Sequence, residues 1–200
     1  MWKPVLIILA IFFAFIGALF ALNSSDLFSK RFGKEFSLTD SNGQTVTLET
    51  LYEKPSVVFF GYTMCPDVCP TTLIDITQWL KELGPDAEKL NVWFFTVDPE
   101  RDTPEVLHDY LSNFSNNIVG VSGDPKKVHQ AVKDFQIYAE KVDGKDGDYT
   151  YDHTAAIILL RPGGRIAGVI PYDADGSNSS IKTLQVMERL KRLVETAKDK

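Results

Sequence analysis

Only two cysteines occur in this chain of 200 residues, Cys65 and Cys69, and they lie four positions apart in the run CPDVCP. This spacing places both sulfur atoms on one side of a turn, where they can oxidise to a disulfide or bind one metal ion together. Because thiolates are soft ligands, the metal would be a soft ion. A purely structural disulfide is the less favoured interpretation, because closing so short a loop restricts the unfolded chain little.

A third ligand would favour metal binding, and the chain has three histidines. His108 and His129 lie in segments of polar, helical composition and are expected at the surface. His153 begins the apolar run HTAAIILL, directly after an acidic loop. The start of a late strand can lie beside the first strand–helix turn of a twisted sheet. From position alone, however, a lone histidine at a strand edge is more often a hydrogen-bonded structural residue than a ligand.

The cysteines lie between a predicted strand and a predicted helix. The continuous apolar run 56–61 precedes them, and residues 70–83 follow with apolar side chains at helical spacing. In open α/β sheets, sites form where the carboxyl end of a strand meets the amino end of a helix. Pro70 suits the first helical position, because a proline there loses no hydrogen bond. Cys69 is therefore expected at the helix cap, where the helix dipole favours the thiolate.

Apolar runs alternate with helical patterns along the rest of the chain. The pair Asn42-Gly43 separates two short alternating segments and predicts a β-hairpin near the start of the folded region. Residues 92–97 predict a second buried strand. The other predicted elements are a helix capped by Thr103, a short strand at 118–121, a helix at 125–135, an exposed acidic loop at 143–148, a hairpin of 153–160 with 165–170, and a helix at 179–198. This order predicts a mixed α/β sheet covered by helices on both faces.

Composition excludes several classes of protein. Hydrophobic residues make up 44% of the chain, which excludes a disordered tail. The 21 Lys and Arg residues are outnumbered by 27 Asp and Glu residues, which gives a net charge of −6. No nucleic-acid partner is expected, because sequence-independent binding to nucleic acid needs a surplus of clustered basic residues.

The amino terminus carries an uncharged apolar segment, residues 4–22. As a helix it would cross most of the roughly 30 Å hydrocarbon core of a bilayer. We expect an uncleaved anchor at 1–22, a linker at 23–32 and a folded domain at 33–198. A cleaved signal peptide is the alternative, although the small-residue site it needs is poor. Basic residues lie on both sides of the segment, but a short tail before a single span usually leaves the bulk of the chain on the exported side.

Three groups of residues resemble the signatures of a known family. They are Gly61-Tyr62-Thr63 followed by CPDVCP at 65–70, the run VDPERDTP at 97–104, and Asp152-His153-Thr154. Together they are similar to the Sco/SenC proteins over roughly residues 33 to 194, and the single N-terminal anchor fits the same family. A bare pair of cysteines at this spacing would be weak support, whereas CPDVCP combined with DPERDTP is highly specific.

The resemblance implies a thioredoxin-like fold and a copper metallochaperone that assists assembly of the CuA centre of cytochrome c oxidase. It implies copper, as Cu(I) or Cu(II), bound through Cys65, Cys69 and His153. Asp98 matches a family aspartate near the cysteine loop, for which we expect a supporting role or a role in transfer to a partner. The implied partners are the CuA-bearing oxidase subunit and a copper donor protein. The implied location is the inner membrane, with the domain on the periplasmic or an equivalent side.

Two other functions compete with copper transfer. A thiol–disulfide oxidoreductase would use Cys65 and Cys69 as a redox-active pair to reduce the cysteines of the CuA-bearing subunit or another exported protein. Such enzymes normally carry C-x-x-C and a cis-proline opposite it, whereas this chain has C-x₃-C and no proline between Pro125 and Pro162. A peroxidase would need a different cysteine motif with a basic residue, and the match is poor. The metallochaperone is therefore favoured, and thiol reduction can coexist with it.

Overall fold

The computed structural model describes residues 12, 32–172 and 180–198, without the side chains of 146, 180–182 and 198. From Phe32 onward the described residues belong to one compact unit. Apart from Phe12 the predicted anchor at 1–22 lies outside the described residues, as does the predicted linker at 23–32 except for Phe32. Within the described part of the chain, no helix has the length and apolar character needed to span a membrane.

A seven-stranded mixed sheet forms the centre of this unit. Its strands are β1 Ser37–Asp40, β2 Thr45–Thr47, β3 Ser56–Gly61, β4 Asn91–Thr96, β5 Ile118–Ser122, β8 Ala156–Leu160 and β9 Ile166–Pro171. They lie in the order β2-β1-β5-β4-β3-β8-β9. Strand β3 pairs in parallel with β4, and β4 in parallel with β5, while the other neighbours are antiparallel. The predicted mixed α/β sheet with an N-terminal hairpin is confirmed.

Among residues 32–172 and 180–198, five α-helices cover the two faces of the sheet. They are α1 Leu48–Glu53, α2 Val68–Leu83, α3 Pro104–Ser112, α4 Pro125–Asp134 and α5 Ser180–Glu195. The side chain of Thr103 accepts the backbone N–H of Val106 and caps α3, with Pro104 at the first position, as predicted. The described residues also include short 3₁₀ helices at Gly84–Lys89, Lys145–Gly147 and Thr196–Lys198.

The central strands are buried on both faces, which explains their continuous apolar sequences. In β3 all six residues are buried, and Phe59 and Phe60 pair with Phe94 and Phe95 of β4. Because successive side chains of a strand point to opposite faces, Phe59 and Phe94 join a core with α2, α3 and α5. Phe60 and Phe95 join a second core with α1 and α4. The central strand β3 is thus fixed from both sides, and its carboxyl end is a rigid support.

A second sheet of two strands corrects one sequence prediction. Strands β6 Ala139–Asp143 and β7 Tyr149–His153 form an antiparallel hairpin around the segment predicted as an acidic loop. His153 is therefore the last residue of β7 and does not begin the apolar strand, which starts at Ala156. The β6–β7 hairpin was missing from the sequence prediction. Four of the five β6 residues are exposed, so the sequence has no apolar pattern to mark that strand.

Candidate metal centre

The cysteine loop begins where the buried strand β3 ends. Helix α2 starts at Val68, two residues earlier than predicted, so Cys69 is its second residue and Pro70 its third. A proline is tolerated throughout this first turn, because the first N–H groups of a helix have no partner within the helix. The backbone N–H of Cys69 instead points to the Sγ of Cys65, at 3.5 Å. The sulfur of Cys65 therefore lies at the positive end of α2.

Gly61 allows the second sulfur to lie directly against the strand. A Cβ atom at this position would lie 2.7 Å from the Sγ of Cys69 and 3.1 Å from the ring of Phe94. Cys69 is fully buried, whereas Cys65 is half-buried and Met64 beside it is exposed. The loop thus presents one sulfur to its surroundings and holds the other against the protein interior.

The structure brings His153 to these two sulfurs. One ligand atom from each of Cys65, Cys69 and His153 lies within 4.8 Å of the others, and the His153 Nε2 is 3.5 Å from the Cys69 Sγ. The predicted group therefore assembles at the carboxyl end of β3, with one donor supplied from β7. Three donors at these separations can surround a single metal ion.

The orientation of the His153 ring suits metal binding. Its Nδ1 is 3.1 Å from the carbonyl oxygen of Thr154. Because a carbonyl oxygen only accepts hydrogen bonds, we assign the ring hydrogen to Nδ1, and in the neutral ring the lone pair of Nε2 then faces Cys69. The rings of Phe59 and Tyr62 contact the imidazole edge to face, with centroids at 6.4 and 5.8 Å. A hydrogen bond at the nitrogen opposite the metal is the usual arrangement for a histidine ligand.

The two thiols have opposite protonation properties. The hydrogen bond from the Cys69 side chain is the largest of the causes that lower the pKa of Cys65 to about 4, despite partial burial. The same hydrogen bond, together with burial, raises the pKa of Cys69. Near neutral pH the pair therefore holds one proton, with Cys65 as the thiolate. A thiolate is the form that attacks disulfides and binds metal ions.

Asp98 does not belong to the ligand group. Its carboxylate is fully buried and accepts hydrogen bonds from the Nε of Arg101 and from the hydroxyl of Tyr149, the latter at 2.9 Å. The expectation that Asp98 supports the site or takes part in transfer to a partner remains a prediction. The other two histidines do not join the site: His108 is exposed, and His129 is half-exposed with its Nε2 3.7 Å from Glu100.

Two residues that support the site were not identified as such from the sequence. The buried carboxylate of Asp102 accepts from the backbone N–H of Thr63 at 3.1 Å and from the hydroxyl of Thr96 at 2.7 Å. Burial raises the pKa of this carboxyl group. Arg101 links Asp98 to the hairpin that carries His153. The available signal was their place in the turn between β4 and a Thr-Pro helix start, where polar residues bridge elements.

The chain matches the family model described as SCO1/SenC over residues 24–189. It belongs to the SCO1/SenC family. The fold agrees with solved family members, including Bradyrhizobium japonicum ScoI with copper bound, at 44% identity and a TM-score of 0.72 over 81% of this chain and 99% of that one. The predicted thioredoxin-like fold class is confirmed by these neighbours.

Two yeast proteins are also similar to this chain in sequence, and one of them has a solved structure. Yeast Sco1 with copper bound has 32% identity and a TM-score of 0.68 over 81% of this chain and 90% of that chain. The mitochondrial protein SCO2 of Saccharomyces cerevisiae is 38% identical over 146 residues, which are 72% of this chain and 48% of that protein. This SCO1/SenC chain thus spans about half the length of that relative.

Proposed function

We propose that this protein is a copper metallochaperone that binds one Cu(I) ion through Cys65, Cys69 and His153. The observation that carries the proposal is the convergence of two sulfurs and one imidazole nitrogen within 4.8 Å of one another. Thiolate and imidazole ligands select Cu(I) over hard ions such as Mg²⁺ or Ca²⁺. The copper-bound structures of relatives with 44% and 32% identity support the same choice of metal.

The exposure of the three ligand residues suits a metal ion that the protein passes on to another protein. Cys65 and His153 are half-buried, so donor groups of a second protein can approach the copper from their side. Cys69 is fully buried against β3 and holds the ion from behind. A site that is open on one side permits stepwise exchange of ligands between donor, carrier and recipient.

The proposed recipient is the CuA centre of cytochrome c oxidase, and the proposed source is a separate copper donor protein. The motif resemblance to the Sco/SenC proteins supports this assignment. We further propose that residues 4–22 anchor the protein in the inner membrane and that the domain faces the exported side. The apolar composition of residues 4–22 supports the anchor.

Thiol–disulfide exchange is the second candidate function, and the low pKa of Cys65 favours it. In this reaction the Cys65 thiolate attacks a partner disulfide and releases one partner thiolate. Cys69 then loses its proton and attacks the mixed disulfide, which releases the second partner thiolate and leaves a Cys65–Cys69 disulfide. The partner gains two electrons and this protein loses them, so each reduced molecule can act once without a further reductant.

A paired assay on the purified full-length protein separates the two functions. One arm titrates Cu(I) anaerobically against a chromophoric chelator, and the other follows reduction of a small disulfide substrate. We expect about one Cu(I) per chain, lost in Cys65→Ser and Cys69→Ser, whereas His108→Ala leaves it unchanged. Rapid disulfide reduction with negligible copper binding would overturn the metallochaperone proposal.

A further inference from the structure

The hairpin that carries His153 is held in place partly by side chains. Strands β6 and β7 pair with each other, and in the described part of the chain neither belongs to the seven-stranded sheet that supports the cysteines. The ladder between β3 and β8 begins at Ile157, four residues after His153, so it anchors the end of the hairpin but includes no residue of β7. Contacts from the inner face of β7 supply the rest of the constraint along the hairpin.

Tyr149, Tyr151 and His153 share the inner face of β7. They are half-buried, whereas the alternating residues Thr150 and Asp152 are exposed. The Tyr151 ring lies between two neighbours, with centroids 5.9 Å from Tyr149 and 5.8 Å from Tyr62. The hydroxyl of Tyr62 also accepts the backbone N–H of Tyr151 at 3.3 Å. This aromatic row connects the start of β7 to the imidazole at its end.

Arg101 holds the start of this row. Its guanidinium carbon lies 3.8 Å from the centroid of the Tyr149 ring, within cation–π range. Its Nη1 donates to the carbonyl oxygen of Tyr149 at 3.1 Å and to the carboxylate of Asp148 at 3.2 Å. One side chain thus contacts the ring, the backbone and the preceding residue of the hairpin.

Arg101 is itself tied to the cysteine loop. Its Nε donates to the buried carboxylate of Asp98, and the next residue, Asp102, accepts the backbone N–H of Thr63 two positions before Cys65. The turn that carries Arg101 is therefore bonded to the loop that carries the sulfurs. Arg101 extends this connection to β7.

We propose that Arg101 is a positioning residue that fastens the β6–β7 hairpin so that His153 faces Cys65 and Cys69. The proposal rests on the proposed function for its effect on copper affinity, but its effect on the hairpin exists without copper. Arg101 acts on His153 through Tyr149 and the aromatic row, and it does not itself bind the metal. Removal of the Arg101 side chain should make the hairpin more mobile and leave the positions of the two sulfurs unchanged.

The chain supplies a matched control at the same ring. The Nζ of Lys141 lies 3.5 Å from the centroid of the Tyr149 ring. Lys141 belongs to β6, so its contact lies within the hairpin and does not join the hairpin to the rest of the protein. Lys141→Gln and Arg101→Gln each remove one positive charge from the same ring, but only the second removes contacts between the hairpin and the turn that carries Asp98. The bond from the Tyr149 hydroxyl to Asp98 is present in both variants.

The first test measures hydrogen exchange in the apoprotein at the amides of 139–153. Removal of a charge-assisted hydrogen bond and a cation–π contact predicts about tenfold faster exchange at these amides in Arg101→Gln. Exchange in β3 and β4 should stay unchanged, and Lys141→Gln should behave like the wild type. Tyr149→Leu removes the ring that Arg101 contacts and also the hydroxyl bond to Asp98, so it should accelerate exchange at least as much, even if Arg101→Gln folds poorly. Unchanged exchange in the hairpin of both variants would overturn the proposal.

The second test is a double-mutant cycle on Cu(I) affinity. Arg101→Gln should weaken Cu(I) binding about tenfold when His153 is present and less than about twofold in a His153→Ala background. A general structural role would instead lower affinity equally in both backgrounds, and that result would contradict positioning. If the wild-type protein fails to bind Cu(I), the proposed function fails, while the exchange experiment still decides the role of Arg101.

Discussion

The Nε2 of His153 lies 3.5 Å from the Sγ of Cys69, although the two residues are 84 positions apart in the chain. Cys69 reaches this point from the first turn of α2, and His153 reaches it from the end of β7. Helix α2 follows β3 of the seven-stranded sheet, whereas β7 belongs to the separate two-stranded sheet. The site is therefore a product of tertiary structure, and its properties depend on how each element is held.

Gly61→Ala is predicted to disturb both the fold and the site. The added Cβ would overlap the sulfur of Cys69, because the free distance is only 2.7 Å. Overpacking of this kind should lower the free energy of unfolding by about 1–3 kcal/mol and should weaken Cu(I) binding as Cys69 is displaced. Urea denaturation and a Cu(I) competition titration measure the two effects.

Gly168→Ala is the matched control for that substitution. Gly168 also lies in the sheet, in β9, but a Cβ there meets no atom within 4 Å. We expect nearly unchanged stability and Cu(I) affinity. Equal losses in the two variants would mean that close packing of Cys69 against Gly61 has no special role.

The reactivity of Cys65 should change with pH only in acid, well below the range in which an ordinary thiol titrates. Because its pKa is lowered to about 4, the thiolate predominates above that pH and is lost only as the pH falls through it. The rate of alkylation by iodoacetamide, followed at Cys65 by mass spectrometry, should therefore be nearly constant from about pH 6 to 8.

The variant Cys69→Ala tests the cause of this behaviour. It removes the hydrogen bond that contributes most to the lowered pKa of Cys65. The pKa should rise toward the ordinary thiol value of about 8.5, so the alkylation rate should increase with pH between about 7 and 9. A wild-type profile that already rises through this range would contradict the assignment of Cys65 as the thiolate.

Copper binding should release about one proton per ion, because thiol ligands bind copper in the deprotonated form. Cys65 has already lost its proton near neutral pH, whereas the raised pKa of Cys69 keeps that thiol protonated until the metal displaces the proton. Calorimetric titration at pH 8 in buffers of different ionisation enthalpy measures the number. Release of two protons would show that both thiols are protonated in the apoprotein.

The sequence was sufficient to predict the elements with strong apolar patterns. Strand β3 and the start of α3 lie where predicted, because burial on both faces and the Thr-Pro cap are local signals. The pairing of Cys65 and Cys69 was equally local. By position alone His153 was ambiguous, and its selection as a ligand came from the motif resemblance.

The parts that the sequence did not predict depend on contacts between distant residues. Strand β6 is mostly exposed, and the aromatic alternation of β7 was the only local sign of the hairpin. The contact of Arg101 with the carbonyl of Tyr149 spans 48 positions and leaves no periodic pattern. The early start of α2 is, by contrast, a local feature, because the N–H of Cys69 meets the Sγ of Cys65 only four positions away.

The central claim is that Cys65, Cys69 and His153 together bind Cu(I). X-ray absorption spectroscopy of the Cu(I)-loaded protein and of its His153→Ala variant tests this claim most directly. We predict two sulfur ligands and one imidazole nitrogen in the wild type, and loss of the imidazole signal in His153→Ala but not in His108→Ala. An imidazole signal that persists unchanged in His153→Ala would contradict the three-ligand site.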